Sequence, residues 1–211
     1  MSTRSTGIER LQDQDTYYLA FGRFMHAFSL CESRVIAFLV WKSSIDEKMS
    51  KALLSGVRVD AATSLVRRVY ETLGETIEPY VDEALKQVSL INGVRNDIVH
   101  YGATFDNEIP RVTTARAAHI PERAREFDVS PELLWDFIED LSRVGTILVA
   151  TRLQAALSRE YGSENVGLLS DDRTWRYRQP QPASNRRKTR VMQPKQQRPP
   201  KSSPGSPQTQ Q

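Results

Sequence analysis

Seven apolar residues, Tyr17, Phe21, Phe24, Phe28, Cys31, Val35 and Phe38, recur at alternating steps of four and three. That spacing lays them along one face of an α-helix running from about Thr16 to about Lys42. Such a helix is long enough to act as the spine of a bundle, and Asp15 or Thr16 suits its N-cap.

The rest of the body reads as further helices. Lys48 to Val57 allows a short one. Asp60 to Leu73 predicts another, with Asp60 as cap, Leu65, Val66, Val69 and Tyr70 as inner face, and Gly74 past the end. The next extends from about Glu78 to about His100, with Pro79 in its first turn, a stripe from Val81 to Ile98, and Gly102 as its stop. Ala103–Phe105 and Arg111–Ala115 flank a turn-like Asp-Asn-Glu-Ile-Pro and predict a small β-hairpin. Ser130-Pro131 opens a last long helix to about Tyr161, with Gly162 as terminator. The expected fold class is all-α, an antiparallel bundle of four to five helices.

Charge divides the chain. Arg173 to Gln211 holds ten of the 29 Lys and Arg and none of the 26 Asp and Glu, which leaves the preceding body at 19 basic against 26 acidic, a formal −7. Seven of the eleven prolines lie beyond position 178, among Gln, Ser and Arg, a composition that buries too little apolar surface to offset ordering entropy. The expected organisation is a flexible lead over 1–15, a helical domain over 16–172 and a disordered basic tail over 173–211. A basic arm on an acidic body points to nucleic acid or an anionic surface as partner.

One cysteine, Cys31, excludes an intramolecular disulfide and a cysteine-based metal site. With only three histidines and no dense carboxylate cluster, neither a metal nor another cofactor is expected. Residues 1–15 lack the apolar core of a signal peptide, and Arg23, His26, Glu32 and Arg34 make Tyr17–Trp41 a poor membrane span. The expectation is a cytoplasmic protein with no membrane partner.

The chemistry-bearing segment is Asn92-Gly93-Val94-Arg95-Asn96-Asp97-Ile98-Val99-His100-Tyr101-Gly102, where polar residues interrupt an apolar helix near its end. Asn96 and His100, four apart, share a helical face, and Arg95 lies about 140° around from His100, within reach of a long side chain. Arginine offers a permanently charged planar fork for phosphate, and histidine exchanges a proton near neutral pH. Asparagine orients either one. This set suits RNA cleavage by the substrate's own 2′-hydroxyl, in which one group takes a proton, another returns one, and a cation holds the equatorial charge. One chain supplies a single histidine there, and pairing two chains at this segment supplies two.

Arg95-Asn96-Asp97-Ile98-Val99-His100 resembles the signature of HEPN domains, an Arg, a polar residue and a His four to six positions after the Arg, late in a helical bundle. The helical pattern from Thr16 to Tyr161 is similar as well, and Phe21-Gly22-Arg23-Phe24 with Glu32 looks like the first helix of some bacterial members. The resemblance implies a metal-independent RNase site across a homodimer, with catalytic roles for Arg95 and His100 and with Asn96 as the polar residue. It also implies a toxin–antitoxin or antiviral setting, with an antitoxin or nucleotidyltransferase as partner. Members modified by such transferases carry Tyr two positions after the His; here Gly102 stands there and Tyr101 follows His100 directly, so that regulation is not supported. Other HEPN domains are non-catalytic scaffolds, and the alternative is a dimeric adaptor that binds nucleic acid or protein through its tail.

Glu32 is the supporting residue considered for holding the Arg95 guanidinium, with a rim salt bridge to Arg23 or Arg34 as the competing role. Asp97 reads as a solvated surface charge. His26 and His119 read as structural or exposed. In the tail, Trp175-Arg176-Tyr177-Arg178 interleaves aromatic and basic residues, and Arg186, Arg187, Lys188 and Arg190 form a basic block. Both runs suit base stacking and phosphate neutralisation on RNA, or else simple solubilisation.

Overall fold

The computed structural model describes residues 7–106, 109–114, 125–161 and 174–176. Five helices and three short strands follow in the order α1 (Gly7–Ser43), α2 (Glu47–Leu54), α3 (Val59–Leu73), α4 (Pro79–Tyr101), β1 (Thr104–Asp106), β2 (Ile109–Thr113), β3 (Glu126–Asp128) and α5 (Pro131–Tyr161). The chain is mostly helical, as the periodicity requires.

α1 is the spine. Of the seven stripe residues, Tyr17, Phe24, Phe28, Cys31, Val35 and Phe38 are buried, and Phe21 is half-buried against them. α1 packs against α5 along its length and against α3 on another side, while α4 packs on α5 and α3. Phe24 meets Phe137 of α5 with ring centroids 5.7 Å apart, one of the contacts that fix this pairing. By length and mean hydropathy alone, Gln14–Ser43 is apolar enough to cross a membrane; here it forms the centre of the fold, with one face packed and the other open.

Besides shifts of one to three residues at α2 and the hairpin strands, three features differ from the sequence reading. α1 starts at Gly7, inside the stretch expected to be flexible. Residues 8–14 contain no glycine or proline, so a helix nucleated on the buried stripe extends backward through them. α3 is capped at Arg58, with Asp60 inside the first turn. Its first free N–H, on Val59, donates to Glu32 Oε1 of α1 at 2.9 Å, so a carboxylate from 27 residues upstream replaces a local cap. The third difference is β3, unseen in the sequence, which extends the expected hairpin to a three-stranded sheet of order β1-β2-β3.

Other signals behave as read. Gly74 closes α3 in the left-handed conformation, φ 66°. Pro79 occupies the first turn of α4, and Ser130 Oγ accepts from Leu133 N at the start of α5. The hairpin pairs Thr104 with Arg111 and Phe105 with Pro110. Gly102, φ 70°, ends α4 and lets the chain turn into β1. Phe105 then lies edge-on to Tyr17, 5.3 Å between centroids, while Val112, Phe127 and Val129 bury the sheet's inner side. The sheet is thereby held beside the last turns of α4, where the polar segment lies. Gly162 and the tail beyond Arg176 lie outside the described residues.

Candidate functional site

Asn92, Arg95, Asn96, Asp97 and His100 all fall on the last three turns of α4, and the fold treats them differently. Asn92 is buried, and its Nδ2 donates to Asp60 Oδ2 of α3 at 2.7 Å. Its role is to tie two helices together. Asp97, 6% exposed, is also buried rather than solvated. It pairs with Arg125 at the entrance to β3, 2.9 Å from Nη2 to Oδ2. Arg125 is set in place by its own backbone N–H, which donates to Thr114 Oγ1 at 2.8 Å. No local pattern announces this pair, because Arg125 lies 28 residues away, just before a strand the sequence reading does not anticipate. Burial raises the Asp97 carboxyl above its usual range, opposed first by Arg125 and then by His100.

Arg95 and Asn96 are half-buried and in contact, with Arg95 Nη1 donating to Asn96 Oδ1 at 3.0 Å. The Arg95 guanidinium lies 5.5 Å from the ring centroid of Phe28, a stripe residue of α1. Its Nε is buried and has no hydrogen-bond partner, and among the described residues no carboxylate pairs with it. A buried cationic N–H without an acceptor is costly.

His100 is exposed on the last turn, its ring 6.5 Å from that of Tyr101. α4 remains helical through Tyr101, so Arg95 and His100 stay about 7.5 Å apart along the axis and on different sides of it. Arg95 and Asn96 therefore stand together on one side of the helix end, and His100 is exposed on another. Glu32 is spent on the start of α3. Cys31 is buried, and burial pushes its thiol up to about 12. Among the described residues no three His, Cys, Asp or Glu gather as a metal site would require.

Trp175 and Arg176 sit elsewhere. Trp175 lies under the Arg143 guanidinium of α5, 4.4 Å to its centroid, and packs against the core. Arg176 donates its backbone N–H to Asp140 Oδ1 at 3.0 Å, and its guanidinium pairs with Glu139 at 2.7 Å. The buried Asp140 also accepts from Gln87 of α4 at 2.9 Å. These two residues, expected as RNA contacts in a disordered arm, clasp the chain to the α4–α5 seam. Tyr177, Arg178, Arg186, Arg187, Lys188 and Arg190, like His119, lie outside the described residues. No family model, curated protein or solved structure matches the chain.

Proposed function

We propose that this protein is a HEPN-like, metal-independent endoribonuclease built on an antiparallel helical bundle and working as a homodimer. The observation that carries the reading is the Arg95 guanidinium, held over Phe28 and against Asn96 without a carboxylate among the described residues, one and a half turns before the exposed His100. A cation so placed suits a phosphate, and a solvent-facing imidazole suits proton transfer.

In the proposed reaction the RNA 2′-hydroxyl attacks the adjacent phosphorus and the 5′-oxygen of the next nucleotide leaves. The products are a 2′,3′-cyclic phosphate and a 5′-hydroxyl. Arg95 holds the charge growing on the equatorial oxygens, and Asn96 keeps the guanidinium in place. One His100 accepts the hydroxyl proton, and the partner protomer's copy protonates the leaving oxygen, which is why two chains are needed. The basic residues after Arg176 capture the strand. Arg176, just before them, is bonded to Asp140 of α5, which also accepts from Gln87 of α4, the helix that bears Arg95. A toxin or defence role, with an antitoxin or transferase as partner, fits such an activity.

The test is end-group analysis of RNA incubated with purified protein and EDTA, beside a DNA strand of the same sequence. Cyclic phosphate ends on RNA and an intact DNA are expected. Cleaved DNA contradicts the mechanism, because DNA lacks the attacking hydroxyl. Tight RNA binding without cleavage moves the assignment to a non-catalytic adaptor.

A further inference from the structure

On the side of α1 away from α3, an open groove of about 580 Å³ runs between α1 and α5. Its size falls in the range of about 300–1,000 Å³ typical of small-molecule sites. The α5 wall is uncharged, formed by Trp135, Ile138, Leu141 and Ser142. The α1 wall carries Leu19 and Leu30, which are 58% and 49% exposed, together with three basic side chains, Arg23, His26 and Arg34. Among the described residues no Asp or Glu lines the groove, although the body of the chain is acidic overall. None of the three basic groups has a carboxylate partner among the described residues; Arg23 instead lies 5.2 Å from the centre of the Trp135 ring.

Gly22 lines this space and Gly145 adjoins its Arg34, and in a helix interior a glycine costs about 1 kcal/mol relative to alanine. A Cβ on Gly22 would meet nothing within 4 Å, so the residue leaves the groove floor clear. A Cβ on Gly145 would collide with the Arg34 guanidinium, so the missing side chain on α5 is what lets Arg34 lie across the groove end.

From this arrangement we infer that the α1–α5 groove is a binding site for a small organic anion with an apolar, ring-bearing body. The body would lie on the uncharged α5 wall and the acidic group would meet Arg23 and Arg34, with His26 between them in sequence. Charge decides against the other occupants. A second copy seated symmetrically would bring two sets of these basic groups together with no acid in the lining, and the chain's own tail is itself basic. An RNA strand brings a phosphate with every nucleotide, whereas the basic groups occupy one wall and the facing wall is apolar. The site is separate from Arg95 and His100, and the inference does not depend on the nuclease reading.

The test uses two probes of the same ring body, anilinonaphthalene sulfonate and the uncharged N-phenylnaphthylamine, titrated against the full chain by fluorescence and calorimetry. One-to-one binding is expected, with the sulfonate favoured by about tenfold or more, the size of one charge-assisted hydrogen bond. The double variant Arg23→Gln, Arg34→Gln should lose that preference and keep the uncharged probe. Gly22→Phe should weaken both probes by about tenfold at unchanged thermal stability, since its side chain enters open space. Ser142→Phe blocks the site from the opposite wall and replaces Gly22→Phe if that variant does not fold. Equal affinity for the two probes overturns the inference, as does sulfonate binding indifferent to the blocking variants. Conversion of a dimer to a monomer by Gly22→Phe, with probe binding intact, assigns the groove to a second copy instead.

Discussion

The end of α4 and the clasp on α5 are made from the same ingredients and differ in where the carboxylates stand. Each sets an arginine against an aromatic ring, Arg95 on Phe28 and Arg143 on Trp175. At the clasp, carboxylates meet the neighbouring arginine rather than the stacked one: Glu139 pairs with Arg176, and Asp140 takes its backbone N–H together with the Gln87 amide. At α4 the nearby acid, Asp97, is turned to Arg125, and among the described residues the side chain of Arg95 hydrogen-bonds to the neutral Asn96. An aromatic–basic pair therefore says little about function until the carboxylates around it are known. A carboxylate-paired cation such as Arg176 builds structure, and on the proposed reading Arg95 is the one that meets a phosphate.

The contrast can be broken most sharply at His100. Because it is exposed, His100→Ala should leave the fold intact and lower RNA cleavage by about 10²–10⁴-fold, the usual worth of a positioned acid–base group, measured under single-turnover conditions. Arg95→Lys keeps the charge but loses the fork, and should reduce cleavage by about 10²-fold with thermal stability near that of the parent. A nearly active Arg95→Lys would reduce the role of Arg95 to that of a point charge.

Effects at the clasp belong to stability. Asp140→Ala strands the Gln87 amide and the Arg176 N–H, and should cost about 1–3 kcal/mol in urea unfolding with no change in the chemical step. Arg176→Ala, which removes an exposed ion pair, should cost no more than about 1 kcal/mol by the same measure. Asp97→Asn sharpens the comparison through pH. The folded-state carboxyl titrates above its unfolded value, so its contribution is fully present below the ordinary carboxylate range and is lost as pH rises through the raised value. Relative to Asp97→Asn, the parent should therefore lose ground from acid to neutral pH, in melting curves run across that range. A parent that gains on the variant as pH rises would mean that Arg125 outweighs desolvation.

What the sequence disclosed follows from the range of the interactions involved. The α1 stripe was legible because seven residues repeat a single local contact, and the ends of α3 and α4 because Gly74, Pro79 and Gly102 act on their own backbone. Glu32 on Val59, Asn92 on Asp60 and Arg125 on Asp97 join residues 27 to 32 positions apart, and no local pattern announces them. β3 is three residues long and offers too little alternation to register. Trp175 and Arg176 were read with the composition of the tail that follows them, yet they belong to α5 by their contacts. At the candidate site the residue types were visible in advance. Which of them remain free of internal partners required the fold.

Single-turnover cleavage of labelled RNA in EDTA, at saturating protein, by the parent, His100→Ala and Arg176→Ala, tests the division of labour directly. Expected is full cleavage by the parent and by Arg176→Ala, with His100→Ala silent. Cleavage by His100→Ala at the parent rate would contradict it.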